Sequence, residues 1–308
     1  MKRSQNNPWL HRYAMLVAGS TFLLLIAGGL VTSNDAGLSV PDWPTSFGSF
    51  KMPRMVGGVL FEHGHRMIAG TVGILTLLLA AWVWLRDSRR WVRSLAGAAV
   101  LAVVTQAVLG GITVLFYLPT VISVSHATLG QIFFCLTASL AFFTRADWRW
   151  DEPKLDDPAV PALPHLASAT TAACLVQLIL GATFRHNGLG IIPHVVGAMV
   201  VTLLTIWLMA RVLTRFSSEG RLVRPALFLV GVVLVQVFLG IGSYFMKEAA
   251  RNAPQPLPPV VLVTTTHLAV GALVLVSSLY FTYLTYRFIS IPSATVPRSQ
   301  TIASEGAL

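Results

Sequence analysis

Eight apolar stretches dominate this sequence, and each is long enough to cross a hydrocarbon core, which takes about 20 helical residues. The chain is 55% hydrophobic and only 11% charged, whereas an average soluble domain carries about 25% charged residues. The spans are predicted near residues 13–31, 64–85, 95–116, 121–143, 164–184, 192–213, 223–245 and 261–286. The sequence therefore predicts an all-α integral membrane protein with eight transmembrane helices.

The basic residues indicate the orientation of these helices, because lysine and arginine are retained on the cytoplasmic side of a membrane. Sixteen of the 22 lie at the termini and in the loops after the second, fourth and sixth spans: Lys2, Arg3, Arg12, Arg86, Arg89, Arg90, Arg93, Arg145, Arg149, Lys154, Arg211, Arg215, Arg221, Arg224, Arg287 and Arg298. The other six are Lys51, Arg54, Arg66, Arg185, Lys247 and Arg251. Both termini are therefore expected in the cytoplasm. The net charge of +10 reflects this topology rather than a nucleic-acid partner.

The segment before the first span, residues 1–12, is too short for an organelle transit peptide and contains no cleavage site. This favours a bacterial inner (plasma) membrane. The two cysteines, Cys135 and Cys174, lie inside apolar spans without disulfide or zinc-site spacing. They are expected to fill the core.

A short motif recurs at the outer ends of the odd-numbered spans, which is the signature of an internal repeat. It reads Gln106-Ala-Val-Leu-Gly110, Gln177-Leu-Ile-Leu-Gly181 and Gln236-Val-Phe-Leu-Gly240, while the first span ends in Ala27-Gly28-Gly29. The repeat unit is a helical hairpin used four times, and two hairpins make one half of the molecule. The sequence predicts two pseudosymmetric four-helix bundles at 1–146 and 162–308, joined by a cytoplasmic linker at 147–161.

One histidine opens each even-numbered span, at a similar depth near the outer face: His65, His126, His194 and His267. An ionisable side chain inside a membrane span is costly and indicates a function. Imidazole is a common ligand of heme iron, and helical bundles build such sites from facing helices. One histidine at a helix end is more often an interfacial residue, but four at equivalent positions favour a cofactor. We expect one bis-histidine site per half, formed by His65 with His126 and by His194 with His267.

A glycine follows each histidine by three to five residues: Gly70, Gly130, Gly197 and Gly271. These glycines are expected to leave room for the edge of a porphyrin. Close packing of neighbouring helices is the alternative explanation for any one of them.

Glu62 distinguishes the two halves, because it lies three residues before His65 on the same helical face. The equivalent positions in the other repeats are Ser123, Ile191 and Thr264. A carboxylate there can act as an acid or a base, or stabilise a developing cation. The alternative is a negative charge favoured near a helix N-terminus.

The remaining polar residues are weaker candidates. His63 is predicted on a different helical face from His65, and His186 is expected at the surface, with a propionate contact as the alternative. His11 and His165 are expected to be interfacial residues on the cytoplasmic side. The first outer loop, residues 32–61, is expected either to cap the first pocket or to be an ordered structural loop. The six outer basic residues lie where heme propionates would emerge, and which of them binds one stays open.

These residues together resemble the heme A synthases. The resemblance covers nearly the whole chain, from Gly28-Gly-Leu-Val-Thr32 and Pro41-Asp-Trp-Pro44 to Thr266-His267. Its most specific parts are Glu62-His-Gly-His-Arg66, Ser125-His-Ala-Thr128 and the repeated Gln-x-x-Leu-Gly motif. The chain departs from many members in having no cysteine in any loop. It looks like the bacterial members that lack loop cysteines, which excludes a mechanism based on a loop disulfide.

The resemblance implies an enzyme that oxidises the C8 methyl of heme O to a formyl group through a hydroxymethyl stage, for assembly of cytochrome oxidase. It implies that His65 and His126 are ligands around the substrate heme O and that Glu62 is the catalytic carboxylate. It implies that His194 and His267 bind a resident heme b. A heme O synthase is the expected upstream partner, in the same lipid membrane, and the electron acceptor stays open.

Two other functions fit parts of the pattern. A diheme b-type cytochrome that only transfers electrons would explain the four histidines, but it would leave Glu62 without a role. A heme carrier without chemistry would bind heme O and release it unchanged. A structural membrane scaffold is the remaining alternative, and the repeated histidines argue against it.

Overall fold

In the computed structural model, residues 7–148 and 154–291 are described, and eight long helices account for most of them. They are α1 (Pro8–Ser33), α2 (Gly58–Arg86), α3 (Arg90–Leu115), α4 (Thr120–Phe143), α5 (Leu163–Arg185), α6 (Ile192–Arg215), α7 (Gly220–Ala249) and α8 (Pro258–Phe288). All eight are long and apolar enough to span a membrane. The predicted all-α membrane fold is confirmed.

Most helices are longer than the sequence predicts, because hydropathy detects the hydrocarbon core whereas a helix continues into the interface. The histidines therefore lie deeper along the even helices than the sequence suggests. Counting from the first residue of each helix, His65 lies seven positions into α2, which begins at Gly58, and His267 lies nine positions into α8, which begins at Pro258. The expectation that each histidine opens its helix holds closely only for His194, two positions after Ile192.

Sequence neighbours pack as antiparallel pairs, and the eight helices form two rings of four. In the first ring α1 contacts α2, α2 contacts α3, α3 contacts α4, and α4 returns to α1. In the second ring α5, α6, α7 and α8 close in the same way. The rings meet where α8 packs on α1 and α4, and where α4 packs on α5. The predicted two-bundle architecture is thus confirmed, while the exact domain boundaries stay a prediction.

Hydroxyl groups connect the two rings inside the membrane region. Ser139 on α4 pairs with the hydroxyl of Tyr283 on α8 at 2.9 Å. Within the second ring, Thr171 on α5 pairs with Ser278 of α8 at 2.8 Å. Lipid gives helices little hydrophobic reason to associate, so packing and such hydrogen bonds hold them together.

Two membrane faces can now be defined. The histidine face is the side where the even-numbered helices begin, and the terminal face is the side where α1 begins and α8 ends. At the terminal face a two-residue strand, β1 (Leu155–Asp156), pairs in parallel with β2 (Ile289–Ser290) just after α8. This small pair is absent from the sequence-based prediction.

The linker contains a buried anchor at the terminal face. Asp157 is fully buried, accepts a hydrogen bond from the amide of Leu163 at 2.7 Å, and lies 3.4 Å from Arg211. It therefore ties the start of α5 to α6. Lys2, Arg3, Arg149, Arg298 and linker residues 149–153 lie outside the described residues.

Candidate functional site

Each of the four histidine rings packs against a glycine on the preceding helix. A Cβ atom added to Gly28 would lie 3.1 Å from His65, and one added to Gly110 would lie 3.3 Å from His126. At Gly181 and Gly240 the corresponding distances to His194 and His267 are 2.8 and 2.9 Å. Contacts this short leave no space for a side chain. The glycine of each repeat is therefore the surface on which one imidazole rests.

The glutamine of the motif forms hydrogen bonds to the histidine of the next helix in two of the four hairpins. The side-chain amide of Gln106 donates to the backbone carbonyl of His126 at 2.9 Å, and Gln177 donates to that of His194 at 2.8 Å. In the fourth hairpin the side chain of Gln236 lies beside Gly271, four residues after His267, where an added Cβ would meet it at 3.0 Å. The side-chain amide of Gln177 also lies 3.0 Å from Nδ1 of the His194 ring. A partner on one ring nitrogen fixes the orientation of the other, as around metal-binding histidines.

The glycines that follow the histidines have a different role from the predicted one. A Cβ added to Gly130, Gly197 or Gly271 would meet a motif glutamine at 2.9, 2.1 or 3.0 Å. The space that the sequence analysis assigned to a porphyrin edge is therefore filled by a glutamine side chain at these three positions. The porphyrin explanation is wrong there, because the glutamine must reach past the glycine to its hydrogen-bonding partner.

The first hairpin departs from this arrangement. Leu24 occupies the position four residues before Gly28, where the other hairpins have glutamine. A Cβ added to Gly70, which follows His65, would meet no atom of the described residues within 4 Å. His65 thus rests on its glycine without a glutamine beside it, and Gly70 is exposed, so the free space there lies at the surface of α2 rather than around His65.

The structure brings His194 and His267 together as a facing pair. Their ring centroids are 6.3 Å apart and the ring planes are nearly perpendicular, at 86°. Two imidazoles that bind one metal ion from opposite sides, at about 2.0 Å each, place their centroids roughly 6.4 Å apart. The spacing of this pair fits a single iron atom between the two rings, as in bis-histidine heme ligation.

His65 and His126 also lie within electrostatic range of each other. The Nδ1 atoms of both rings are buried without a hydrogen-bonding partner among the described residues. Ser123, which takes the place of Glu62 in the second hairpin, is buried and its hydroxyl is likewise unpartnered. Nδ1 of His267 in the second half is likewise buried without a partner among the described residues. Buried polar groups are normally satisfied, so these exceptions indicate a binding site in each half.

Glu62 is joined to the outer loop by both of its carboxylate oxygens. It is only 4% exposed, and its Oε1 lies 2.6 Å from the guanidinium of Arg66, one helical turn further on. Its Oε2 accepts a hydrogen bond from the amide of Val40 at 2.8 Å. Glu62 is therefore part of a buried ion pair rather than a solvated residue near a helix end.

Arg66 binds the loop through its backbone carbonyls. The guanidinium donates to Asp42 at 2.7 Å, to Thr45 at 3.1 Å and to Val40 at 3.1 Å. The sequence analysis grouped Arg66 with the outer basic residues and missed this role. The available signal was its position four residues after Glu62, which places the two side chains on one helical face.

The outer loop lies over the first pair of histidines. Trp43 packs on α3 so closely that a Cβ added to Gly111 would be 2.7 Å from its ring. Gly111 directly follows Gly110, on which His126 rests. Because Val40 is fully buried and Ser46 is nearly so, the loop is an integral part of the first half.

The other candidate histidines contact neither pair. His63 pairs with Ser46 of the loop at 2.9 Å, and His11 pairs with the backbone carbonyl of Ala141 at 3.0 Å. His186 follows α5, and its pKa is lowered by burial and by Arg185 and Lys247. His165 lies in the first turn of α5, at the terminal face.

The cysteines and the acidic side chains were the other possible metal ligands. Cys135 on α4 and Cys174 on α5 are free thiols. Within residues 7–148 and 154–291, no group of three or more His, Cys, Asp or Glu side chains gathers as ligands of a bare metal ion. The histidines come in pairs, which suits a macrocycle that already supplies four ligands to its metal.

Comparison with known proteins agrees with the geometry. A family model described as "Cytochrome oxidase assembly protein" matches residues 54–194, a region that includes His65, His126 and His194. A heme A synthase of Lysinibacillus sphaericus is 33% identical over 36% of this chain and 37% of its own length. Heme A synthases of Alkalihalophilus pseudofirmus and Shouchella clausii are 23% and 30% identical over 57% and 47% of this chain. The matches span 37%, 59% and 48% of the lengths of these three relatives.

Proposed function

We propose that this chain, which is similar to heme A synthases over part of its length, oxidises the C8 methyl of heme O to a formyl group through a hydroxymethyl stage. The observation that carries the proposal is the pair of histidine sites, of which only the first has a buried carboxylate beside it. Two similar sites, of which one has a buried carboxylate among the described residues, suit a substrate site and a cofactor site.

In this proposal His65 and His126 hold heme O in the first half. Leu24 in place of a motif glutamine distinguishes the surroundings of His65 from those of the other three histidines. Glu62 provides a negative charge beside the substrate, where it stabilises positive charge that develops during oxidation of the methyl group. Arg66 and Val40 hold the carboxylate in place.

His194 and His267 hold heme b in the second half, where Gln177 restrains the ring of His194. Bound there, heme b supplies an iron that accepts and passes on electrons. The protein's part is to fix the two imidazoles at the spacing observed. We place the chain in a bacterial inner membrane with both termini in the cytoplasm, downstream of a heme O synthase.

The test is to express the chain in cells that make heme O, extract the hemes and analyse them by chromatography and mass spectrometry. Heme A or its hydroxymethyl precursor, present with the chain and absent from cells with the empty vector, is the expected result. Heme b with unchanged heme O would instead support a diheme cytochrome that transfers electrons without heme chemistry. Bound heme O that is released unchanged would support a carrier.

A further inference from the structure

One of the four hairpins carries a cation where the others carry neutral side chains. The position four residues after the motif glycine is Thr32 on α1, Val114 on α3 and Tyr244 on α7, but Arg185 on α5. A charge inside a membrane protein is costly unless it has a partner or a function. Arg185 is therefore the residue at this repeat position that needs a partner or a function.

Arg185 reaches from the second half into the first. Its Nη2 donates to the hydroxyl of Ser33 at 2.7 Å and to the backbone carbonyl of Gly29 at 3.3 Å, both on α1. Ser33 also pairs with Thr264 and Thr265 of α8, each at 3.0 Å. These contacts form a polar junction between α5, α1 and α8 near the histidine face.

The charge of Arg185 is not neutralised by the described part of the chain. No carboxylate among residues 7–148 and 154–291 lies within ion-pair distance of it, although Asp35 attracts it from further away. A guanidinium has five N–H donors, and both hydrogen bonds described for Arg185 use Nη2. Burying a cation without an anionic partner is unfavourable, so this site suits an anion.

The surroundings indicate which anion. Ser33, to which Arg185 donates, pairs with Thr264 at 3.0 Å, and Thr264 lies three residues before His267 on the same face of α8. His267 is one member of the facing pair in the second half. A heme held by that pair carries two propionate carboxylates on its edge, and guanidinium binds carboxylate through paired hydrogen bonds. The anion-binding edge of Arg185 and the proposed heme b are therefore neighbours.

The other cations at the histidine face are less suitable. Arg66 is occupied by the outer loop and Glu62. Arg251 is 76% exposed at the side chain and lies 3.4 Å from Glu248. Lys51 and Lys247 are exposed.

We propose that Arg185 binds a propionate of the heme held between His194 and His267, while Ser33 and Gly29 anchor the same guanidinium to the first half. This inference rests on the proposed function, because it requires heme in the second half. It connects the resident heme, through Arg185, to α1, the helix on which His65 rests through Gly28. Arg185 is thus a binding residue for one heme and a physical link to the site of the other.

The test uses the purified full-length protein with its bound heme and compares four variants. Arg185→Met removes the charge and the donors, whereas Arg185→Lys keeps the charge and loses the paired geometry. Ser33→Ala removes the α1 anchor and leaves the guanidinium. Arg251→Met is the matched control, because it removes a cation from the same face at an exposed site. The readouts are heme retention during dilution and the reduction potential of the second-half heme.

We expect Arg185→Met to weaken heme retention by about 10-fold or more, the effect of losing a hydrogen bond between charged groups. Its reduction potential should fall, because a nearby cation disfavours the oxidised, more positive iron. Arg185→Lys should lie between Arg185→Met and the unaltered protein. Arg251→Met should leave both readouts unchanged.

Three outcomes would overturn the inference. One is an Arg185→Met protein with unaltered retention and potential. Another is a Ser33→Ala protein that reproduces the full effect of Arg185→Met, which would make Arg185 a purely structural tie. A third is an Arg185→Met protein in which only heme O binding changes, which would mean that Arg185 binds a propionate of the substrate heme rather than of heme b. Absence of second-half heme from the unaltered protein would instead overturn the proposed function itself, so the two failures are distinguishable.

Discussion

At the scale of single residues, Glu62 has a structural role that the sequence did not reveal, in addition to the catalytic role proposed for it. It lies beside His65, where a negative charge can act on the substrate, and it also holds the outer loop through Val40 and Arg66. Removing one partner of a buried ion pair leaves the other charge uncompensated. Substitutions at Glu62 and Arg66 therefore affect both the chemistry and the loop, and must be chosen to separate them.

Glu62→Gln tests the chemistry separately from the loop contact. Glutamine keeps the size and an acceptor oxygen of glutamate but loses its charge. We expect heme O oxidation to fall by about 100-fold or more, the scale of losing one electrostatic contribution to a transition state. The measurement is the rate of product formation in membranes that contain equal amounts of protein. The second-half heme, followed by its absorbance, should be unchanged. Full activity of Glu62→Gln would remove the carboxylate from the mechanism.

The contact between glycine and imidazole makes a second residue-level prediction. In Gly240→Ala the new methyl group would lie 2.9 Å from His267, so the ring must move, at a cost of about 1–3 kcal/mol for overpacking. The absorption spectrum of the second-half heme should change or disappear. Gly231→Ala lies on the same helix, where a Cβ meets no described atom within 4 Å, and should behave as the unaltered protein. Equal spectra for the two variants would contradict the packing account.

At the scale of elements, the outer loop is ordered by its own hydrogen bonds as well as by Arg66. Asp42 accepts hydrogen bonds from the hydroxyl of Thr45, from the amide of Phe47 at 2.7 Å and from the amide of Gly48 at 2.8 Å. The bond from Thr45, followed by that from Gly48, lowers the pKa of Asp42 from its ordinary value of 3.8. A lowered pKa in the folded state means that the charged form stabilises the loop.

This shift predicts the pH dependence of the loop. The stabilising effect of Asp42 is fully present above its ordinary pKa and is lost as the pH falls through the lowered value. Hydrogen exchange of residues 42–49 should accelerate under those acidic conditions, and in Asp42→Asn it should already be fast at pH about 7. Asp35→Asn is the control, because its carboxylate makes no hydrogen bond to the described residues. Slow exchange in Asp42→Asn at neutral pH would show that Arg66 alone orders the loop.

The helices and their repeat were predictable from sequence, whereas their contacts were only partly so. Apolar length and the Gln-x-x-Leu-Gly motif indicated the hairpins, because both are one-dimensional patterns. The motif could not reveal that Gly110 faces His126 or that Gln106 fills the space at Gly130, since both contacts depend on how α3 and α4 are rotated against each other. The porphyrin explanation of those glycines failed for this reason.

At the scale of the whole molecule, the two halves form similar helix rings with unequal sites. Sequence predicted the inequality through Glu62, but not the second difference, which is the missing glutamine beside His65. It also could not locate the junction of Arg185 and Ser33 between the halves, because those residues are far apart in the chain and meet only when the two rings pack together through α8 and α4. Contacts between repeats depend on tertiary packing. Comparing the sequences of the repeats gives no information about that packing.

The central claim is that the first half holds the substrate and the second half holds the resident heme, and one measurement tests it most directly. Heme extracts of His126→Ala and His267→Ala proteins, made with a supply of heme O, are compared with those of the unaltered chain by chromatography and mass analysis. We predict that His126→Ala yields heme b without heme A or its hydroxymethyl precursor, and that His267→Ala loses heme b. Heme A formed by His126→Ala protein, or equal loss of both hemes from either variant, would contradict the assignment of the halves.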